Sequence, residues 1–215
     1  MTPMEINIAD IRQDYSKKEL SVEECHAHPI RQFNQWFDEA IKAEVMEPNA
    51  MTVSSATAEG RPSARTVLLK GIENDAFVFY TNYNSRKGQQ LSNNQFAALT
   101  FFWPELERQV NIEGSVVKMP EEVSDQYFAS RPYKSRVGAW ASEQSQEIDS
   151  KAVVMGRFAK YAAKFITHVP RPPHWGGFGI IPDRIEFWQG RPSRLHDRVL
   201  YVLENGHWNK KRLAP

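Results

Sequence analysis

Cysteine is nearly absent: Cys25 is the single one in 215 residues. One thiol excludes an intramolecular disulfide and is too few for a structural zinc site, and it fits a reducing compartment in which Cys25 is buried or inert. Neither sign of charge is in excess, with 27 lysines and arginines against 26 aspartates and glutamates. A face for a long polyanion would have to be local, so nucleic acid is not an expected partner. No run approaches the roughly 20 apolar residues of a membrane span, and Met1 to Tyr15 lacks a basic-then-apolar leader. A soluble, cytoplasmic protein with no membrane partner is expected. Internal repeats, low-complexity tracts, a nucleophile elbow, a phosphate loop and a dinucleotide fingerprint are missing too. His26 and His28 lie in a polar segment, and His168, His174, His196 and His207 are scattered, so no metal is expected.

The length suits one domain over 29–215, preceded by a polar N-terminal segment over 1–28. That segment reads as a mobile tail, or as a lid that orders over an anionic ligand through Arg12 and Tyr15. From Pro29, the residues Ile30, Phe33, Phe37, Ala40 and Ile41 fall at helical spacing. Strands are then expected at 51–56, 65–70 and 76–81, turned at Glu59-Gly60 and Asn74-Asp75, in an antiparallel meander. A helix capped by Asn84 or Ser85 runs through Leu91, and two more strands cover 96–103 and 108–118. Five such strands with short links suggest a small barrel. A helix from Pro120 ends near Ser130 because Pro132 disfavours helical geometry at Arg131, and Ser135 is a candidate cap for the next short segment. Residues 150–166 form another helix, whose stripe of Val154, Phe158, Tyr161 and Phe165 belongs to the core or to a subunit contact. Strands return over 175–188, and Asn205-Gly206 turns the clearest hairpin in the chain.

Chemistry concentrates at the ends of these elements. Trp175-Gly176-Gly177-Phe178 and two apolar runs lead into Arg194-Leu195-His196-Asp197-Arg198, which reads equally as a polar site or as a solvated turn after a buried hairpin. Basic residues recur beside strand ends and helix starts: Arg65 and Lys70, Arg86 and Lys87, Arg131, then Arg194 and Arg198. Separate clusters on a nearly neutral chain suit small phosphorylated ligands better than a continuous polyanion. More than one phosphate fits such a pattern. Tyr127 and Arg131 are four apart and can share a helix face.

The ordered set RTVLLK at 65–70, FYTNYNSRK at 79–87, ERQV at 107–110, YFASRP at 127–132, GAWASEQS at 138–145, WGGF at 175–178, IEFWQG at 185–190, RLHDR at 194–198 and the terminal RLAP resembles the pyridoxine (pyridoxamine) 5'-phosphate oxidase family. The resemblance runs from about Ile11 to Pro215 and implies a mainly β fold with flanking α-helices, an FMN-binding split barrel, working as a homodimer with each flavin at the subunit interface. It implies FMN contacts at Arg65, Thr66, Val67, Leu68, Leu69, Lys70, Tyr80, Thr81, Arg86, Lys87, Gln109, Gln144, Ser145, Trp188 and Arg198. It places Lys70, Tyr127, Arg131 and Ser135 around the substrate phosphate, Arg194 and His196 over the pyridine ring as catalytic residues, and Arg12 and Tyr15 in the closing segment. The implied reaction moves a hydride from C4' of pyridoxine or pyridoxamine 5'-phosphate to flavin N5. The products are pyridoxal 5'-phosphate, hydrogen peroxide from O2 and, from the amine, ammonia.

Two short linkers depart from the family pattern, Arg191-Pro192-Ser193 and Tyr133-Lys134, and Arg191 adds a charge near the expected mouth. A flavin-binding relative without the oxidase activity would lack the combination of Tyr127, Arg131, Ser135, Arg194 and His196, all of which are here. A flavin-free interaction module would leave Gln109, Trp188 and Arg198 without a shared purpose.

Overall fold

Pro29 opens the first regular element, because its missing N–H costs nothing at a helix start. The computed structural model describes Tyr15, Ser16 and residues 18–215; Arg12 lies outside the described residues. Helix α1 covers Pro29–Lys42, with His28 as cap: its Nδ1 accepts from the Ile30 N–H at 3.4 Å. The strands are β1 (Ala50–Ala56), β2 (Pro62–Leu68), β3 (Gly71–Glu73), β4 (Ala76–Asn82), β5 (Phe96–Trp103), β6 (Arg108–Lys118), β7 (Trp175–Gln189), β8 (Asp197–Glu204) and β9 (His207–Leu213). The helices after α1 are α2 (Arg86–Asn93), α3 (Glu121–Ser130), α4 (Tyr133–Ala141) and α5 (Lys151–Lys164). No helix among the described residues is long and apolar enough to cross a membrane. The protein is mainly β with flanking helices.

The chain divides into two compact units. One holds Asn49–Phe101 and Asn111–Arg184. Its strands lie in the order β2-β1-β5-β6-β7-β4-β3. This is not the expected meander: β1–β2 and β3–β4 are antiparallel hairpins, but β1 continues to β5 and β4 pairs with β7. The Asn74-Asp75 turn has both φ values positive, 49° and 64°, the backbone that a two-residue hairpin needs. Phe77, Phe79, Leu99, Phe101, Phe178 and Ile180 are fully buried, and along β4 and the start of β7 both faces are covered. Phe128, Val137, Val169 and Trp175 form a second core under the helices, and Phe158, Tyr161 and Phe165 of the predicted stripe pack against it.

Residues 175–188, expected as two short strands, form part of one strand of 15 residues. Its pairing with β4 runs from Trp175 to Ile180 and ends before Pro182, through which the strand continues. The Gly176-Gly177 pair answers a close approach: a Cβ at Gly176 would lie 2.0 Å from the Tyr83 hydroxyl, and one at Gly177 2.7 Å from Met119 Cγ. Ser135 is not a cap, since Pro132 holds that position and α4 has already begun at Tyr133.

The other unit holds the described residues up to Pro48, Phe102–Val110 and Ile185–Pro215. There β8 pairs with β7 and β9, and Asn205-Gly206 turns the β8–β9 hairpin with φ values of 53° and 78°. Its core is aromatic: Trp36 meets Phe187 edge-on at 5.1 Å, Phe187 meets Tyr201 at 5.6 Å, and Phe33 lies 6.2 Å from Trp103.

Candidate active site

The end of β2, the end of β4, the start of α2 and the α3–α4 junction line one cavity of about 770 Å³ within the first unit. The Asn82 side chain makes the turn that starts α2: its Oδ1 accepts from the Asn84 N–H at 2.8 Å. Ser85 then caps the helix, accepting from the Gly88 N–H at 3.2 Å. This fixes Lys87, whose Nζ donates to Thr81 Oγ1 and to Gln144 Oε1, both at 3.1 Å. Arg65 projects from β2 and donates to Ser55 Oγ and Ser63 Oγ, each at 2.6 Å. Neither Arg65 nor Lys87 forms an ion pair with a carboxylate among the described residues. Desolvation, and then the charge of Arg65, lowers the Lys87 pKa; desolvation, and then Arg86, lowers that of Arg65. Cations crowded without counter-charges are what an anion would relieve.

A flat aromatic wall stands opposite in chemistry. The Tyr80 ring stacks on Tyr127 with centroids 3.9 Å apart and lies 5.5 Å from Trp175, all three planes within 12°. Burial, assisted by Glu73 and the neighbouring tyrosines, pushes the Tyr80 phenol up to about 12, so it stays protonated. Arg131 follows α3 in extended conformation, as Pro132 demands, and lays its guanidinium 4.5 Å above Trp175. Its Nη1 is buried and has no hydrogen-bond partner among the described residues. Desolvation lowers its pKa, partly offset by Tyr127.

Of the expected residues, the cavity brings together Arg65, Thr66, Val67, Leu68, Lys70, Tyr80, Thr81, Lys87, Gln144, Tyr127, Arg131 and Ser135. Leu69 is not on its wall: it is buried, its N–H donating to the Asn49 carbonyl at 2.8 Å. Arg86 and Ser145 are exposed and also off the wall. Sequence reasoning missed Asn82, Ser142 and Trp175 on the wall; the turn chemistry of Asn82 was the available signal.

The remaining expected residues belong to the second unit. Trp188 and His196 have ring centroids 4.7 Å apart, and Tyr15 caps both edge-on at 5.7 and 5.8 Å. Gly190 leaves room for that tyrosine, whose Cγ would be 2.7 Å from an added Cβ. His196 Nδ1 accepts from the Arg191 backbone N–H at 3.1 Å, so the neutral ring carries its proton on Nε2. Desolvation and then the Arg194 charge lower its pKa. Arg194 is exposed, at φ 61° after Ser193 at 54°, two left-handed residues that turn the chain sharply. Arg198 is held by Glu186 through 2.8 and 3.0 Å bonds and by the Ala214 carbonyl at 2.9 Å. Gln109 sits half-exposed on β6.

Residues 37–165 match the family model described as pyridoxamine 5'-phosphate oxidase, and residues 175–215 match that of the pyridoxine 5'-phosphate oxidase C-terminal dimerisation region. A pyridoxine/pyridoxamine 5'-phosphate oxidase of Chromobacterium violaceum is 62% identical over 99% of this chain and 100% of its own. Its namesake in Neisseria gonorrhoeae is 57% identical over 98% of this chain and 100% of its own. Among solved structures, PhzG from Burkholderia lata 383, in complex with tetrahydrophenazine-1-carboxylic acid, superposes with a TM-score of 0.88 at 29% identity, covering 93% of this chain and 100% of that one. A pyridoxamine 5'-phosphate oxidase-related, FMN binding protein from Nostoc punctiforme shares the fold, with a TM-score of 0.68 at 14% identity over 85% of this chain and 97% of its own.

Proposed function

This chain belongs to the pyridoxamine 5'-phosphate oxidase family, and on that footing we propose that it oxidises pyridoxine 5'-phosphate and pyridoxamine 5'-phosphate to pyridoxal 5'-phosphate in the cytoplasm, using FMN. The observation that carries the reading is the 770 Å³ cavity whose cations lack carboxylate partners and whose wall is a stack of aromatic rings. That lining suits a planar, phosphorylated group.

Bound FMN supplies a two-electron acceptor that passes its electrons to O2, with hydrogen peroxide as product. Arg65, Arg86 and Lys87 supply positive charge for its phosphate, and residues 66–70, Tyr80, Thr81, Gln144 and Ser145 shape and donate around it. Gln109, Trp188 and Arg198 complete the FMN set in a homodimer that holds each flavin at the subunit interface. The C-terminal dimerisation match supports that assembly.

We assign the substrate phosphate to Lys70, Tyr127, Arg131 and Ser135; the buried Arg131 Nη1 without a hydrogen-bond partner among the described residues, on a guanidinium stacked over Trp175, supports this. Arg194 and His196 act on the ring and on the C4' substituent. With Nδ1 engaged by Arg191, His196 Nε2 is a hydrogen-bond donor, and it orients the oxygen or nitrogen it meets. Tyr15 of the closing segment is seated on Trp188, His196 and Gly190.

An anaerobic spectrum tests the whole reading. Pyridoxine 5'-phosphate should bleach the flavin band, and admitting air should restore it with formation of pyridoxal 5'-phosphate. A flavin band indifferent to both substrates would leave a binding protein, and a chain that takes up no FMN would end the cofactor assignment.

A further inference from the structure

Gln90 is a buried polar residue that the reaction does not use. It lies on α2, three residues after Lys87, and only 5% of it is exposed. Its Oε1 accepts three hydrogen bonds, from Ser55 Oγ and Ser63 Oγ at 2.7 Å each and from Arg65 Nη2 at 3.3 Å. Its Nε2 is buried and finds no partner among the described residues. Ser55 and Ser63 are direct register partners on β1 and β2, and Val53, whose carbonyl takes a 3.2 Å bond from Arg65 Nη1, is the register partner of Arg65. Four acceptors from three elements thus converge on one guanidinium, and all four are uncharged.

A carboxylate in the place of Gln90 would hold Arg65 more strongly, but it would cancel the charge that Arg65 presents. A neutral platform fixes the side chain, whose freedom is otherwise costly to remove on binding, and leaves its unit charge for a ligand. The stranded Nε2 is the cost of that arrangement in the free protein.

We propose that Gln90, with Ser55 and Ser63, is a positioning platform that pre-orients Arg65 for the phosphate of FMN. The inference rests on the reading of Arg65 as a flavin-phosphate contact. Because α2 carries Lys87 as well as Gln90, one helix sets the placement of two cations at the same phosphate.

The test compares FMN with riboflavin, which lacks the phosphate, by titrating the full-length chain stripped of flavin and following flavin fluorescence. Gln90→Leu removes the acceptor and the stranded N–H together, and it should raise the FMN Kd about tenfold, about 1.4 kcal/mol, while riboflavin binding changes less than about twofold. Gln90→Glu, which keeps an acceptor but adds a counter-charge, should weaken FMN binding as well. In an Arg65→Ala background Gln90→Leu should add nothing, since the platform acts only through that arginine. If Gln90→Leu does not fold, Ser63→Ala removes one platform bond from the same guanidinium and should show the same FMN-selective loss. Equal weakening of FMN and riboflavin, or additivity with Arg65→Ala, overturns the platform and leaves Gln90 a packing residue. If Arg65→Ala itself fails to separate FMN from riboflavin, the phosphate assignment of Arg65 falls, and the platform with it.

Discussion

Replacing Glu39 by glutamine asks what holds the buried Arg108 in place. The Arg108 side chain is 4% exposed; it donates to Glu39 Oε2 at 2.8 Å and to Gln189 Oε1 at 2.9 Å, and lies 4.2 Å over the Trp36 ring. Burial alone would raise the Glu39 pKa, but hydrogen bonds from Lys18 and Arg108, the Arg108 charge and a bond from Gln35 outweigh it and hold the carboxyl at about 2. In the unfolded chain the ordinary value of 4.5 returns, so the unfolded state binds more protons in between. The contribution is therefore complete above about 4.5 and is lost as pH falls towards 2. A shift of that size corresponds to at most ~3.4 kcal/mol. Because a quarter of the Glu39 side chain meets solvent, screening reduces it to about 1–2 kcal/mol. Glu39→Gln keeps the shape but leaves the guanidinium without a counter-charge, for an expected loss of about 2 kcal/mol at neutral pH. Urea unfolding at fixed protein and FMN concentrations would measure it, and the gap between wild type and variant should narrow by about 1 kcal/mol near pH 3. A gap below about 0.5 kcal/mol at pH 7, or one that does not change with pH, would refute the pairing argument.

Arg194→Ala should slow anaerobic flavin reduction at saturating substrate by at least about tenfold while FMN affinity stays within about twofold, as stopped-flow and flavin titration would show. Loss of flavin with normal reduction after refilling would count against its role. Arg131→Leu should raise the KM for pyridoxine 5'-phosphate by about tenfold or more with little change in FMN retention, because one charge-assisted contact disappears. An unchanged KM would remove Arg131 from the substrate phosphate. Gly88→Ala places a Cβ 2.3 Å from the Tyr83 carbonyl oxygen, which is backbone and cannot swing away. It should cost about 2–3 kcal/mol in thermal or urea unfolding, and a neutral result would mean that α2 can retreat from the loop before it.

Local signals located most of the elements. Helical spacing after Pro29, the Ser85 cap, the stop before Pro132 and the Asn205-Gly206 turn all mark structure that forms there. The failures are non-local. A meander was the economical reading of consecutive strands, but which strand lies beside which is decided by packing, and β1 takes β5 as its second neighbour. The strand at 175–189 continues through Pro182, past the end of its pairing with β4, and where that pairing ends is not a local property of the sequence.

The site divides along the same line. Its basic residues were legible because charge at a strand end or a helix start is a local pattern, and the family resemblance gave them roles. What steadies them was not legible. Ser55 and Ser63 face the same guanidinium only in the register that pairs them, and a slip of one residue would send one of them to the opposite face. Tyr80, Tyr127 and Trp175 come from three segments far apart in sequence, and nothing local says that their rings are parallel. In the sequence alone, Gln90 is one more polar residue on a short helix. Its meaning appears only when the acceptors around Arg65 are counted and every one proves neutral. A fold that merely needed Arg65 buried could have used a carboxylate, as it does for Arg108 with Glu39. The difference between the two arginines is that one is neutralised within the fold and the other is left charged at a cavity, and that contrast is the physical reason to place a phosphate beside Arg65.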